Sequence, residues 1–343
     1  MDGFLLQILN GLDKGGAYAL IALGLTLIFG TLGVVNFAHG ALFMLGAFCA
    51  VVFQRLLTFS QITKVPSSLG FPIEKKVPYL ELWLGKGTSA TIIDLAIPLS
   101  ILLAIPVMAL IGIIMERGLI RHFYKRPHAE QILVTFGLAI VIQEIIKAFF
   151  GANPIPIEAP AFASGTAPIG AWFGMGDGIV YPWWRLIYLF FAMVIISAVF
   201  AFLRFTTWGM VVRAGMQDQE TVGMLGINIQ KRFSVVFGIA AAVAGVAGLM
   251  AVPILKADYH MGMDWLVLSF VVVVVGGMGS LPGAVLAGFL LGITQSLAAW
   301  LSALDGLKDY LKGLDQIIIY LVAVIILLTL PRGLMGRKGV MEE

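Results

Sequence analysis

Charge is scarce in this sequence. Only 12% of its 343 residues are Asp, Glu, Lys or Arg, well below the ~25% of a soluble domain, whereas 60% are hydrophobic and the mean hydropathy is +0.99. That balance excludes the water-soluble classes and marks an integral membrane protein. The single cysteine, Cys49, sits in an apolar run and rules out an intramolecular disulfide. His39, His122, His128 and His260 lie far apart, so no metal-ligand spacing arises. The net charge of +3 is spread along the chain, with no basic block to meet a nucleic acid. No Ser, His and carboxylate stand at recognisable spacing, and no carboxylate pair is isolated in the apolar runs, so catalysis is not expected. No cofactor is expected either. At the N-terminus, MDGFLLQILNGLDKGG has an acidic residue where a signal peptide would be basic, and it is expected to stay in the mature chain.

What the sequence has is apolar runs. About 20 mostly apolar residues cross a hydrocarbon core of about 30 Å, and such runs read at 4–31, 36–54, 92–115, 131–150, 185–203, 233–255, 264–276, 283–302 and 314–330. They predict an all-α polytopic bundle of eight to nine spans, a single membrane domain over 1–343. Asn10, Asp13 and Lys14 interrupt the first run, leaving open one long tilted helix or a half-helix followed by a span. WLVLSFVVVVV ends at GGMGSLPGA, residues 276–284, where glycines and Pro282 break a helix before another begins. Breaks at membrane depth survive only where the backbone is buried in protein or lines a wet cavity.

Lysine and arginine set the orientation. Segments 117–131, 204–232 and the tail are basic and expected to be cytoplasmic, which places 151–184, 256–263 and 303–313 outside. The segment 55–91 is outside by the same parity, yet it carries Arg55, Lys64, Lys75, Lys76 and Lys86 with three prolines, and reads as a structured surface insert. FGTLGVVNFAHGALFMLGAF and VGGMGSLPGAVLAGFLLGIT each set a break between two apolar helices in the same direction, the pattern of a parallel internal repeat. Small residues at four-residue spacing, Ala284/Gly288/Gly292/Ser296, Ala240/Ala244/Gly248 and Ala22/Thr26/Gly30, allow close helix approach; tight packing is the plain reading and a sliding interface the sharper one.

Three groups are candidates for function. Asn36 and His39 share a helix face and must meet protein, water or ligand, because an unpaired polar group in hydrocarbon costs several kcal/mol. Either they satisfy backbone freed at the Gly33 and Gly40 break, or they line a translocation route together with Gly276, Gly277, Gly279, Ser280 and Pro282. Gln143, Glu144 and Lys147 fall within an apolar run, where ionisable groups are functional suspects; a Glu144–Lys147 pair and a pathway role stand level. The loop 204–232 is basic at both ends and amphipathic in the middle, with Val222, Leu225 and Ile229 able to share a face. It suits docking of a soluble partner or lying on the bilayer.

Four stretches carry a resemblance: GGAYALIALGLTLIFGTLGVVNFAHGALFMLGA at 15–47, QILVTFGLAIVIQ at 131–143, RAGMQDQETVGMLGINIQKRFSVVFGIAAAVAGVAGLM at 213–250 and GGMGSLPGAVLAGFLLGI at 276–293. Across nearly its whole length the chain resembles the permease subunits of ABC importers for branched-chain amino acids, specifically the first of the two related permeases such systems use. The Asn-Phe-Ala-His-Gly and Gly-Gly-Met-Gly-Ser-Leu-Pro-Gly strings are specific in combination. The resemblance implies a bacterial inner-membrane permease working with a second homologous permease, two cytoplasmic ATPase subunits, a periplasmic substrate-binding protein and membrane lipid. It implies no ATP site in this chain, in keeping with the lack of a Gly-Lys-Ser/Thr phosphate loop. The ATPase-docking pattern of such permeases, Glu-Ala-Ala followed by a spaced Gly, is matched in spacing by Glu220 and Gly226 but has Thr221 and Val222 for the alanines. Coupling is accordingly expected of Arg213, Asp218, Glu220, Leu225, Gly226 and Ile227. Relatives with similar motifs move urea, short amides or other amino acids, and the 55–91 insert is longer than is usual. The rival class is a self-sufficient secondary carrier or channel with Glu144 as its ion-coupling site.

Overall fold

The computed structural model describes residues 2–65, 73–172, 174, 180–217, 219–304 and 310–336. In chain order the helices are α1 (Asp2–Leu32), α2 (His39–Leu57), α3 (Tyr79–Leu84), α4 (Lys86–Asp94), α5 (Ala96–Gly118), α6 (His128–Phe150), α7 (Ile169–Trp172), α8 (Trp183–Phe205), α9 (Thr207–Gln217), α10 (Gln219–Met224), α11 (Ile229–Leu255), α12 (Met261–Gly276), α13 (Leu281–Leu301) and α14 (Leu314–Thr329). Two small antiparallel pairs join them: β1 (Ser60–Val65) with β2 (Ile73–Pro78), and β3 (Thr166–Ala167) with β4 (Tyr181–Pro182). Among the described residues, seven helices are long and apolar enough to cross a membrane, and α12 and α14 are shorter apolar helices of 16 residues each. The polytopic helical architecture expected from the sequence is what forms.

The first run folds as one 31-residue helix, about 46 Å at 1.5 Å per residue. Its polar residues do not break it because neighbours meet them. Arg185 of α8 donates to Asn10 Oδ1 at 3.1 Å and stands 3.8 Å from Asp13 Oδ2. Tyr18 donates to Gln295 Oε1 at 2.6 Å, and Ser296 donates to Gln7 Oε1 at 2.8 Å, both across to α13. The two helices touch through backbone: a methyl group added at Gly292 would stand 2.4 Å from the Gly15 nitrogen, and one at Gly288 2.7 Å from that of Ala19. With little hydrophobic drive between helices in lipid, such contact is what holds them together.

The second small-residue stripe does the same for α11. A methyl on Gly248 would lie 1.9 Å from the Phe43 carbonyl oxygen of α2, and one on Gly46 1.8 Å from that of Gly245. These two stripes are therefore packing surfaces. α1 and α11 form the enclosed centre of the bundle, whereas α5, α6 and α8 leave most of their surface exposed.

Cross-contacts sort the connections to two ends. At the basic end, Thr135 at the start of α6 meets the 33–38 connection, Ser234 near the start of α11 meets Arg121, and the tail bonds to Val275 and Gly276. At the other, Ile155 pairs with Ala257 and Asp94 accepts from the Ala161 N–H at 2.6 Å.

Candidate functional site

The two helix breaks lie together at the basic end. Gly33, with φ +64°, closes α1 through its N–H to the Phe29 carbonyl at 2.8 Å. Gly277 and Gly279 have φ of +100° and +83°, a conformation open to glycine at little cost. Ser280 then caps α13 by accepting from the Gly283 N–H at 3.3 Å, with Pro282 in the first turn. Gly279 faces the α1 backbone at Gly30. Phe37 from the first break contacts Phe270 of α12 and Phe136 of α6, and its N–H donates to Thr135 Oγ1 at 3.1 Å. The tail crosses the second break, with the Leu334 and Met335 N–H groups donating to the carbonyls of Val275 and Gly276 at 2.8 and 3.0 Å.

Asn36 and His39 are both fully buried here. Asn36 does part of the structural task expected of it: its Oδ1 accepts from the Ala38 N–H at 3.0 Å and its carbonyl from the His39 N–H at 3.2 Å. Its amide nitrogen has no partner among the described residues. His39 packs against Gly24 of α1, where a methyl would come within 2.7 Å of Nε2. Neither ring nitrogen closes a hydrogen bond with the described residues. A buried polar atom left without a partner costs about 1–3 kcal/mol.

Gln143 and Glu144 lie in the outer half of α6. Gln143 lines a crevice between α2, α6 and α12 with Ala41, Met44 and Gly262, 3.5 Å from the His260 ring. Glu144 points out of the bundle, 58% exposed, and pairs with Lys147 at 3.5 Å. The structure thus sets the start of α2, with Asn36 and His39, against α1 and α12, brings Gln143 to the same part of α2 across the crevice, and leaves Glu144 on the outer surface.

The 204–232 loop forms two short helices. Arg232 stacks over the Trp208 ring at 3.7 Å, tying α9 to α11, and Arg213 donates to the Leu203 carbonyl, tying α9 to α8. α10 stops at Met224, and Gly226, with φ +77°, turns the chain. That turn separates residues expected to share a face: Val222 is buried, whereas Met224 and Leu225 project, and Gly226 and Ile227 follow in the turn. Asn228 Oδ1 caps α11 from the Lys231 N–H at 3.0 Å. Glu220 lies on α10; Asp218 lies outside the described residues.

One cluster escaped the sequence reading. Glu116, at the last turn of α5, is fully buried and accepts four hydrogen bonds: Arg121 Nε at 3.0 Å, Tyr124 Oη at 2.7 Å, Ser234 Oγ at 2.7 Å and Arg121 Nη2 at 3.1 Å. It fastens α5 and the 119–127 connection to the start of α11, beside the two short helices. Burial, reinforced by the hydrogen bond to Glu116 and its charge, raises the Tyr124 hydroxyl above its ordinary range. The only signal was a carboxylate five residues from an arginine at the end of an apolar run. Among the described residues, no three His, Cys, Asp or Glu gather to hold a metal.

An enclosed bundle with paired helix breaks and short helices at its basic end is the build of a membrane permease. Residues 7–328 match the family model described as the permease component of branched-chain amino acid transport systems, and the chain belongs to that family of ABC-importer permease subunits. It is 26% identical over 342 residues to the high-affinity branched-chain amino acid transport system permease protein BraD of Pseudomonas aeruginosa, covering 98% of this chain and 97% of that one. It is 27% identical over 343 residues to LivH of Salmonella typhimurium, with the same coverage. The probable branched-chain amino acid transport permease LivH of Methanocaldococcus jannaschii is 24% identical over 326 residues, 92% of this chain and 88% of its own. No solved structure gives a significant match. Family and apolar helices together make this a multi-pass protein of the bacterial inner membrane, a transport subunit rather than a known enzyme.

Proposed function

We propose that the chain moves branched-chain amino acids inward as one of a pair of homologous permeases, fed by a periplasmic binding protein and driven by two cytoplasmic ATPase subunits. The whole of 1–343 acts as one permease domain, with 55–91 as periplasmic insert and 204–232 as coupling loop. The chain has no Gly-Lys-Ser/Thr loop and relies on its partners for ATP. The observation that carries this reading is the projecting turn after α10. Met224 and Leu225 are 78% and 73% exposed at the basic end, where a pore-forming bundle has no need of apolar side chains in water. They suit insertion into a groove on a soluble partner.

Force on α9 and α10 would reach α8 through Arg213 and α11 through Arg232, and α11 packs on the two helices that flank the first break. Asn36 and His39 are poised for that movement. Their unmet hydrogen-bonding capacity disfavours the closed packing and would be filled when the breaks separate and water or substrate enters. Glu144, exposed and already paired, gives the carrier alternative no buried site.

The test is a mild-detergent pull-down from native membranes with an ATPase assay of the eluate. Two ATPases and a second permease are expected with wild-type chain, and Gly226→Trp and Glu220→Arg are expected to lose the ATPases and uptake while staying folded. Undiminished association in both variants sinks the assignment of the coupling turn. A lone chain that transports when reconstituted, and stops with Glu144→Gln, establishes the carrier instead.

A further inference from the structure

The segment from α2 to α4 takes no part in the proposed transport and breaks the charge rule, being basic on the outer side. Its placement follows from its neighbours. Phe48 of α2 packs at 4.8 Å on Phe150, the last residue of α6, and Arg55 lies over the same ring at 5.1 Å, so the end of α2 emerges beside the outer end of a spanning helix. α3 is fastened there: the Tyr79 N–H donates to the Phe59 carbonyl at 2.9 Å, and the two rings stack at 5.5 Å.

α3, YLELWL, is then a helix with almost no water-seeking face. Trp83 is 83% exposed, and Leu82, Leu84 and Tyr79 are exposed beside it. Leu56, Phe59, Tyr79, Leu80 and Trp83 line an open groove of about 360 Å³. This apolar surface is continuous with the exposed Val52 and Leu56 on the spanning part of α2. Lys76 before α3 and Lys86 after it are exposed. Trp and Tyr at the membrane boundary, with lysines next to them, are the composition of an interfacial anchor.

We propose that α3 and the adjoining end of α2 rest in the outer leaflet, with Trp83, Leu82 and Leu84 among the upper acyl chains and Lys76 and Lys86 at the phosphate level. Lipid is the occupant because the patch continues a membrane-facing helix surface at membrane height. The basic residues on the outer side then have a partner in phospholipid phosphate, and they no longer argue against the orientation. The insert holds the outer corner between α2 and α5 against the bilayer.

The experiment reconstitutes full-length chain in phosphatidylethanolamine–phosphatidylglycerol vesicles with or without acyl chains brominated near the carbonyl, and compares wild type with Trp83→Phe. The difference isolates Trp83 emission. Bromolipid is expected to quench at least about half of that difference while aqueous iodide leaves it nearly untouched. Iodide quenching without bromolipid quenching overturns the proposal. So does protection from iodide that appears only when the purified periplasmic binding protein is added, which would make the patch a protein-docking surface. Should Trp83→Phe fold poorly, a spin label at position 83 in a Cys49→Ser chain gives the same decision from its relative exposure to oxygen and to an aqueous nickel relaxant.

Discussion

Replacing Glu116 by glutamine keeps its shape but removes half of its acceptor capacity. The carboxylate takes four hydrogen bonds, two of them from Arg121. Glutamine presents one oxygen and one NH2 group. The Tyr124 and Ser234 hydroxyls can turn to accept from that NH2, but a guanidinium only donates, so one Arg121 N–H loses its partner. A hydrogen bond to a charged group is worth about 1.5–3 kcal/mol. Because the Arg121 side chain is 31% exposed, water recovers part of that, and a loss of about 2 kcal/mol follows, less than the 3–5 kcal/mol of a wholly buried pair. Glu116→Ala strips all four bonds and leaves a void, for about 4 kcal/mol. Using the per-residue unfolding entropy of globular proteins, these losses correspond to apparent Tm values lower by about 3 and 6 °C. Thermal unfolding in detergent, followed by tryptophan emission, reads both. The reasoning is refuted if Glu116→Gln melts with wild type, or if Glu116→Gln and Arg121→Gln add in the double variant instead of partly cancelling, since residues that share one hydrogen-bond network must couple.

Gly46→Val is expected to abolish the folded bundle, because the first added carbon already falls 1.8 Å from the Gly245 carbonyl oxygen, and backbone on two crossing helices cannot withdraw. Gly137→Ala, with open space around it on α6, is the control and should elute from size exclusion as wild type does. Burial, with the nearby Asp13 charge adding to it, pushes the Tyr181 hydroxyl up to about 12. The unfolded chain would ionise near 10, so this stabilising contribution is whole below pH 10 and is lost as pH rises through 12. Unfolding between pH 9 and 12 should show that decline flattened in Tyr181→Phe; equal slopes would contradict it.

Much of this fold was legible because apolar run length and small-residue spacing act locally. The close helix approach expected of Ala284/Gly288/Gly292 and Ala240/Ala244/Gly248 forms because no side chain intervenes to keep the backbones apart. The continuity of α1 was not legible: Asn10 and Asp13 read as interruptions until Arg185, more than 170 residues away in sequence, supplies their partner. Asn36 and His39 were legible as polar groups out of place, but their unequal satisfaction depends on Gly24 and Ala38 in three dimensions. Leu225 was misplaced by helical periodicity, because Gly226 ends the helix before that periodicity can act. Glu116 stayed hidden because its four bonds come from three residues in two separate segments, and a carboxylate at a span end reads as ordinary surface.

The pairing of α1 with α13 also sets a schedule. Gln7 and Tyr18 wait for Ser296 and Gln295, separated from them by 289 and 277 positions. At 5–20 residues per second of synthesis, the first helix emerges on the order of tens of seconds before its partner exists. Through that interval its buried carboxylate and glycine-lined face stand in the bilayer or against whatever receives nascent helices. Assembly of this permease therefore closes late, with the oldest segment seated among the last, and the unassembled first helix is the species that quality control would meet.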